Sequence, residues 1–132
     1  MTELKSHKDL RVWHKAIEQV TVIHQLTKNL PKTEQYGLIS QLQRAAVSIP
    51  TNIAEGNGRG TRKDYARFID IARGSASEVE TLLIIVVKLG LSTTDDATLA
   101  QELTNDVGRM LTGLAVGLSK DGFNEEEQAE IA

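Results

Sequence analysis

The side chains that could do acid–base, nucleophilic or metal chemistry are few in this chain, and their spacing does not assemble a catalytic site. His14 and Glu18 are four residues apart and could supply half of a metal site, but no second histidine or acid cluster completes it. The sequence has no cysteine, no Glu-x-x-His pair of the kind used by di-metal helical bundles, and no elbow-type sequence around a serine. We therefore expect His14 and Glu18 to form an exposed surface pair, and we expect no cofactor, no metal and no enzymatic activity.

A glycine-rich stretch suggests phosphate chemistry of a different kind. Residues 56–60 read Gly-Asn-Gly-Arg-Gly, but they lack the Gly-Lys-Ser/Thr ending of a nucleotide-binding loop, and no strand precedes them. The end of a helix followed by a turn is the favoured interpretation. The next helix would still present free backbone N–H groups and the positive end of its dipole, which suits a nucleic-acid phosphate. The candidate nucleic-acid contacts there are Arg59, Arg62, Lys63 and Arg67.

A second group of bases lies near the N-terminus, where Arg11 and Lys15 are candidate nucleic-acid contacts. In an antiparallel bundle, the start of the first helix lies beside the end of the second and the start of the third, so both basic groups are expected at one end. Solvated surface charge is the alternative explanation. Because the chain has only five aromatic residues, and Trp13 and Phe68 fall on apolar stripes, we expect recognition of backbone and shape rather than base sequence.

The net charge of −3 conceals an uneven distribution. Residues 1–73 carry 12 Lys and Arg against 7 Asp and Glu, whereas residues 74–132 carry 3 against 11. Residues 121–132 hold five acids and no base, and we expect them to form a flexible acidic tail. The basic first half permits a polyanionic partner without requiring one.

No part of the sequence predicts a membrane partner. The first residues lack the apolar stretch of a signal peptide, and the longest apolar run, residues 82–87, is far shorter than the roughly 20 residues that span a bilayer. The absence of cysteine agrees with a reducing compartment. We therefore expect a cytoplasmic protein.

Apolar residues at three-and-four spacing predict one all-α domain over residues 1–120, an antiparallel up-down-up-down four-helix bundle. The predicted helices cover about residues 10–30, 33–56, 61–90 and 95–119. The predicted N-caps are Asp9, Thr61, and either Asp95 or Asp96. Pro50 falls inside the second helix and is expected to kink it near Ala46 rather than end it, because the apolar period resumes beyond the proline.

The second and third helices are expected to approach closely in mid-bundle. If the turn between them centres near Arg59, antiparallel pairing sets Ala45 and Ala46 opposite residues 73–75, which read Arg-Gly-Ser. Small residues would then face small residues, and a short distance between the helix axes follows.

The same register predicts roles for several polar residues. Arg44 and Glu78 fall about one turn apart across the crossing and should form a partly buried ion pair. Asn52 and Glu55 should satisfy backbone groups that Pro50 frees. The predicted structural polar residues are Arg44, Asn52, Glu55, Arg73 and Glu78.

The third helix has more apolar surface than one bundle core can bury. Residues 82–87 read Leu-Leu-Ile-Ile-Val-Val and are apolar on every face. If the two leucines and Val86 fill the core, Ile84, Ile85 and Val87 remain as a candidate oligomer interface. Further apolar residues off the main stripes are Val12, Val22, Leu26, Leu38 and Val47. Self-association is the favoured explanation, and a covering loop or C-terminal segment is the alternative.

Several motifs taken together resemble a known bacterial family. They are Asp-Leu-Arg-Val-Trp at 9–13 with Ala16, Gln-Leu-Gln-Arg-Ala-Ala-Val-Ser-Ile-Pro at 41–50, Asn-Ile-Ala-Glu-Gly at 52–56, Phe68 with Ile-Ala-Arg-Gly-Ser at 71–75 and Glu78, Leu-Gly at 89–90, and residues 108–114. In this combination the chain resembles the four-helix-bundle proteins encoded in intervening sequences of 23S ribosomal RNA genes. It is also similar to the related accessory protein of diversity-generating retroelements, and the likeness covers roughly residues 9–120.

The resemblance implies a homopentameric ring of four-helix bundles. For the accessory proteins it also implies a basic surface that binds nucleic acid and a reverse transcriptase. Two functional hypotheses follow. The chain is either a homo-oligomer that binds structured RNA or DNA through phosphate contacts, or a protein-interaction scaffold ring with no direct nucleic-acid role.

Overall fold

Four α-helices carry the fold, in a computed structural model that describes residues 6–119. They are α1 (Arg11–Lys28), α2 (Ser40–Asn57), α3 (Arg62–Lys88) and α4 (Thr94–Leu118). Residues 6–119 contain no strand, so the prediction of an all-α fold with four helices is confirmed. The acidic tail predicted at 121–132 lies outside the described residues.

The start of α1 differs from the prediction. Asp9 is not its N-cap, because a short 3-10 turn, His7–Asp9, precedes the helix and α1 begins after Leu10. Ser6 caps this turn: its hydroxyl accepts a hydrogen bond from the backbone N–H of Lys8, and Asp9 accepts one from the backbone N–H of Ser6. The side chain of Leu10 is fully buried, which anchors the turn to the core.

Threonines cap the last two helices. The Thr61 hydroxyl accepts a hydrogen bond from the Asp64 N–H at 3.2 Å, so the predicted cap of α3 is confirmed. For α4 the predicted cap is wrong. Thr93 occupies that position, since its hydroxyl accepts a hydrogen bond from the Asp96 N–H at 3.0 Å. An aspartate two or three residues inside the helix instead complements the positive end of the helix dipole.

The second α-helix begins later than predicted. Between α1 and α2 the chain forms a 3-10 turn, Lys32–Glu34, and then a π-helical turn, Gln35–Ile39. Gly37 interrupts the regular helix there, with φ −113° and ψ −107°. Beyond this turn α2 runs unbroken through Pro50, which confirms that the proline does not end the helix.

Helices α2 and α3 pack against each other from the turn that joins them. Gly56 is buried near that turn, and a Cβ at this position would lie only 2.8 Å from Phe68 Cβ, so the glycine permits the close approach. Farther from the turn, the hydroxyl oxygens of Ser48 and Ser75 are 2.8 Å apart. Small residues therefore do meet between these helices.

The predicted pairing of Ala45 and Ala46 with residues 73–75 differs from the structure in two respects. The Ser75 hydroxyl meets that of Ser48, which lies two residues beyond Ala46. Gly74 is exposed, and nothing lies within 4 Å of the position that its Cβ would occupy. The buried Gly56, in contrast, allows a close approach of the two helices near the turn.

The core is built from one apolar face of each helix, and in α1 this face also takes in residues expected outside the main stripe. Val12 and Leu26 are among these and are buried, whereas Ile17 is 40% exposed. In α4, Leu99 lies at helical spacing from Leu103 but is 53% exposed. The large apolar side chains with no exposed surface are Leu10, Val12, Ile23, Leu42, Ile49, Ile53, Ile69, Val79, Leu83, Val86, Val107, Leu111 and Leu114.

One buried polar contact joins α1 to α4. Gln19 is completely buried, and its Nε2 donates a hydrogen bond to the Thr104 hydroxyl at 2.6 Å. The Thr104 hydroxyl in turn donates to the Ala100 carbonyl at 2.7 Å. Gln19 Oε1 has no hydrogen-bond partner among the described residues. An incompletely satisfied amide in the core costs stability, so this pair contributes more to a unique alignment of the two helices than to net stability.

The apolar residues proposed for an oligomer interface fall on different sides of α3. Ile84 is 46% and Ile85 is 36% exposed, while Val87 is half-buried. Successive residues of a helix are about 100° apart, so the two isoleucines point in different directions. Ile84 lines a shallow cleft with Gln101 and Asn105 of α4.

Candidate nucleic-acid interface

The turn between α2 and α3 is a short glycine-rich connection. Gly60 has φ +85°, a left-handed conformation that favours glycine, and Thr61 then caps α3. Gly56 is needed for helix packing, as described above. Two of the three glycines in the Gly-Asn-Gly-Arg-Gly stretch therefore have structural roles, which agrees with a helix end and turn.

Two arginines, one in this turn and one in α3, lie over the same aromatic ring. The guanidinium carbon of Arg59 is 4.9 Å from the centroid of the Phe68 ring, and that of Arg67 is 4.4 Å from it. These distances are typical of cation–π interactions. Arg59 also donates a hydrogen bond to Glu55 Oε1 at 3.1 Å. The side chains of both arginines are thus positioned by contacts within the chain.

Arg62 and Lys63 lie exposed in the first turn of α3. We call the four predicted bases Arg59, Arg62, Lys63 and Arg67 the turn surface. Arg59 and Arg67 are brought together by Phe68, and all four bases lie within nine residues of one another around the N-terminus of α3.

The other two predicted contacts lie in a different place. Arg11 and Lys15 line a cleft of about 490 Å³ between α1 and α4. Glu18 and Asp106 also line it, as does Arg109, a base that the sequence analysis did not select. Arg109 forms an ion pair with Asp106. The positive charge of this cleft is therefore partly neutralised by acids within it. The full set of lining residues is Arg11, His14, Lys15, Glu18, Asp106, Arg109 and Met110.

The predicted ion pair between Arg44 and Glu78 is wrong, since these two exposed side chains form no ion pair within the described part of the chain. The Arg44 side chain instead lines a cleft with residues of α1 and of the turn before α2. An exposed pair gains little over hydration, which removes the driving force for the predicted contact. Arg73, expected beside α2, is paired with Asp70 at 3.2 Å on α3.

The polar residues around Pro50 divide between two roles. Asn52 Nδ2 donates hydrogen bonds to the Ser48 carbonyl at 2.7 Å and to the Ser48 hydroxyl at 2.9 Å. Asn52 therefore binds the Ser48 carbonyl rather than the Ala46 carbonyl, which is the one that Pro50 leaves without its helical N–H partner. Asn52 also supports the Ser48 hydroxyl that meets Ser75. Glu55 does not serve the backbone in this way, because its carboxylate is paired with Arg59.

A basic cleft that sequence reasoning missed lies where α1 ends and α2 begins. It has a volume of about 540 Å³, and its bases are His24, Lys28, Lys32 and Arg44. Tyr36 lines it with 94% of its surface exposed. We call this cleft, with these five residues in its lining, the Tyr36 cleft. Tyr36 lies at helical spacing from Ile39 and Leu42, a pattern that by itself favours a buried position. The interruption of the helix at Gly37 accounts for its place outside that apolar face.

The described residues were searched for metal-binding groups and for membrane-spanning helices. No group of three or more His, Asp or Glu within residues 6–119 is placed to hold a metal ion. His14 Nε2 is 2.7 Å from the Lys8 carbonyl oxygen, to which it must donate a hydrogen bond. Within the same range, no helix has the length and apolar character needed to cross a membrane.

The fold and the sequence were compared with those of known proteins. Over 79% of its length the chain superposes on 97% of a crystal structure of a protein of unknown function from the S23 ribosomal protein family of Bacteroides thetaiotaomicron, with a TM-score of 0.71 and 20% sequence identity. At that identity the likeness concerns the fold alone. No curated protein matches the chain. The model of the 23S rRNA-intervening sequence protein family matches residues 8–113, which is most of the chain, and the protein therefore belongs to that family.

Proposed function

We propose that this protein is a non-catalytic homo-oligomer that binds structured RNA or DNA through phosphate contacts on the turn surface. Each subunit would be an antiparallel, up-down-up-down bundle. The subunits would form a ring, and the family resemblance favours a pentamer. A reverse transcriptase or another protein could then act as a further partner, as the resemblance implies for the retroelement accessory proteins.

The observation that carries this proposal is the pair of guanidinium groups held over Phe68. Binding a phosphate normally costs the side-chain entropy of a long, flexible arginine. Arg59 and Arg67 have lost part of that freedom already, because the ring supports both of them. The N–H groups at the edge of a stacked guanidinium remain able to donate to phosphate oxygens. Pre-positioned donors of this kind favour a rigid, structured polyanion.

The other two members of the turn surface add positive charge to it. Arg62 and Lys63 add charge in the first turn of α3, where the helix dipole also favours an anion. The α1–α4 cleft that holds Arg11 and Lys15 is a weaker candidate, because Glu18 and Asp106 would repel a phosphate there. We therefore place the main contact at the turn surface.

The assembly rests on separate observations. Beyond Ile84 and Ile85, Val47 is 41%, Ile71 is 43% and Val116 is 51% exposed, and contact between subunits would remove such apolar side chains from water. An antiparallel arrangement of α2 and α3 is supported by contacts at two distances from the turn between them, near Gly56 and at Ser48.

A salt titration with matched variants tests the binding proposal. Fluorescence anisotropy with a labelled RNA hairpin should give an affinity that falls steeply between about 50 and 200 mM salt. Lys63→Glu should weaken binding at low salt by roughly tenfold, since it replaces a favourable phosphate contact by a repulsive one. Lys88→Glu is the control, because Lys88 is also an exposed lysine of α3 but lies in its last turn.

Two results would contradict the proposal. Absence of binding at low ionic strength would exclude a nucleic-acid role and leave the scaffold hypothesis. Equal losses in Lys63→Glu and Lys88→Glu would mean that binding follows the overall charge rather than the turn surface.

A further inference from the structure

The Tyr36 cleft differs in its charge from two other clefts formed by residues 6–119. Acids line the α1–α4 cleft, and Asp70 and Glu80 line the larger cleft of about 910 Å³ between α3 and α4. None of the described residues that line the Tyr36 cleft is acidic, whereas three of them are the cations Lys28, Lys32 and Arg44 and a fourth is His24. The complete lining is His24, Thr27, Lys28, Leu30, Lys32, Gln35, Tyr36, Ile39, Ser40, Gln43 and Arg44. A cleft with this lining attracts anions.

The basic side chains of this cleft are available to a ligand. His24, Lys28, Lys32 and Arg44 are all exposed, and none of them takes part in an ion pair within residues 6–119. They come from three segments: α1, the 3-10 turn and α2. Cations on separate segments can surround one phosphate rather than follow a single helix face. Glu34 is the acid nearest in sequence. It is not part of the lining, and its carboxylate lies beside Gly37.

The Tyr36 ring is the second feature of the cleft. An aromatic side chain normally buries most of its large surface, and 94% exposure leaves almost none of this one in contact with the protein. Both the ring and its hydroxyl are thus accessible beside the cations. The lining also includes the buried Leu30 and the half-buried Ile39, so part of the cleft wall is apolar. An accessible aromatic ring beside positive charge is the arrangement that single-stranded nucleic-acid sites use.

The backbone keeps Tyr36 in this position. It lies inside the π-helical turn Gln35–Ile39, where the wider spacing and the non-helical Gly37 turn the residue out of the apolar stripe of α2. Single π-helical turns within helices occur frequently at functional sites. The hydrogen bond from Gln43 Nε2 to the Thr27 hydroxyl, 3.1 Å long, ties α2 to α1 across the cleft.

We propose that the Tyr36 cleft binds an unpaired nucleotide, with the base stacked on the Tyr36 ring and the phosphate among Lys28, Lys32 and Arg44. The shared chemistry of the ligand is an aromatic base that carries a phosphate, as in a single-stranded segment of nucleic acid or in a free nucleotide. This site does not depend on the turn surface, and it stands even if the protein binds no structured RNA.

Anisotropy of a labelled octanucleotide of uridine or adenosine, measured with the full-length protein at low salt, tests the site. Tyr36→Ala should weaken binding by roughly tenfold or more, since stacking of one base on an aromatic ring accounts for a factor of about five to one hundred. Tyr36→Phe should retain the affinity, because the ring is kept. Lys28→Glu should weaken binding and reduce its salt dependence.

Two comparisons identify the ligand and separate this site from the turn surface. A blunt duplex of the same length offers no unpaired base, so Tyr36→Ala should not change its affinity, whereas Lys63→Glu should. Competition by uridine monophosphate distinguishes the two sources of the ligand. Displacement at concentrations comparable to those of the oligonucleotide identifies a free nucleotide, and displacement only at far higher concentrations identifies a strand.

Three outcomes would overturn the inference. The first is an octanucleotide affinity that Tyr36→Ala leaves unchanged. The second is absence of binding by the wild-type protein to both the octanucleotide and the mononucleotide. The third is a change of oligomeric state in Tyr36→Ala, measured by analytical ultracentrifugation, since the ring would then be a contact between subunits. Tyr36 is so exposed that its replacement should leave the circular dichroism spectrum unchanged.

Discussion

The turn surface and the Tyr36 cleft use the same kinds of residue in different ways. At the turn surface the aromatic ring, Phe68, is 9% exposed and already supports two guanidinium groups, one of which has an acid partner. In the Tyr36 cleft the ring is almost fully exposed and the cations have no acid partner among the described residues.

The difference shows how packing changes the role of an aromatic residue. A buried ring can only position the groups around it, and those groups can then contact a phosphate backbone. An exposed ring can itself contact a base. The two surfaces are therefore expected to discriminate between paired and unpaired nucleic acid, and three sets of variants test whether they do so independently.

The largest effect is expected when the packing beneath the turn surface is disturbed. Gly56→Val places a branched side chain where a Cβ alone would meet Phe68 Cβ at 2.8 Å. Overpacking of this kind should lower the free energy of unfolding by about 2–3 kcal/mol, as measured by urea denaturation. Displacement of Phe68 should also weaken hairpin binding and leave octanucleotide binding in place.

Gly74→Ala is the matched control, because nothing lies within 4 Å of the position of its Cβ. Removing a glycine from the middle of α3 should raise the free energy of unfolding by about 0.5–1 kcal/mol. If Gly56→Val were as stable as the wild type, the observed register of α2 and α3 would be incorrect.

An intermediate effect is expected from a change that reaches neither surface. Thr104→Val removes the hydrogen-bond partner of the buried Gln19 amide, which should cost about 1–2 kcal/mol of unfolding free energy. Gln19→Leu combined with Thr104→Val should recover most of this loss, because apolar groups then replace both partners. Both kinds of nucleic-acid binding should persist in the folded single variant. If either were lost, the two surfaces would depend on the α1–α4 alignment and would not be independent.

The smallest effects are expected from removing an acid from the turn surface and from adding one to the Tyr36 cleft. Glu55→Gln frees Arg59 from its partner and should strengthen hairpin binding by about two- to fivefold at low salt, at a cost of about 0.3–0.5 kcal/mol in stability. Gln35→Glu supplies an acid to the Tyr36 cleft and should weaken octanucleotide binding by a similar factor. Opposite signs in the two anisotropy titrations would support the comparison. A change of the same sign in both would indicate that net charge alone controls binding.

The helices themselves were largely accessible to sequence reasoning, because local interactions determine them. Thr61 caps α3 through the Asp64 N–H as its spacing predicted, and α2 continues through Pro50. The bases of the turn surface were also found this way, since they are close together in sequence and need only one turn to meet.

Apart from the N-caps of α1 and α4 and the late start of α2, which are local, the errors concern features that depend on another helix. In α1, Val12 and Ile17 both fit three-and-four apolar spacing, and only the positions of the other helices decide that Val12 is buried and Ile17 exposed. The approach of Gly56 to Phe68 and the contact of Ser48 with Ser75 likewise exist only in the packed pair of helices. The predicted pair Arg44–Glu78 depended on the predicted pairing of these two helices.

The pattern of apolar and charged residues along this chain was sufficient to specify four helices, a surplus of apolar surface and a basic segment, because each of these follows from neighbours within a few residues. It was not sufficient to show that Tyr36 faces solvent, or that bases from α1, the 3-10 turn and α2 share one cleft. Both features depend on the packing of separate segments. The interruption at Gly37 and the hydrogen bond between Gln43 and Thr27 form this cleft only because α1 lies beside the start of α2.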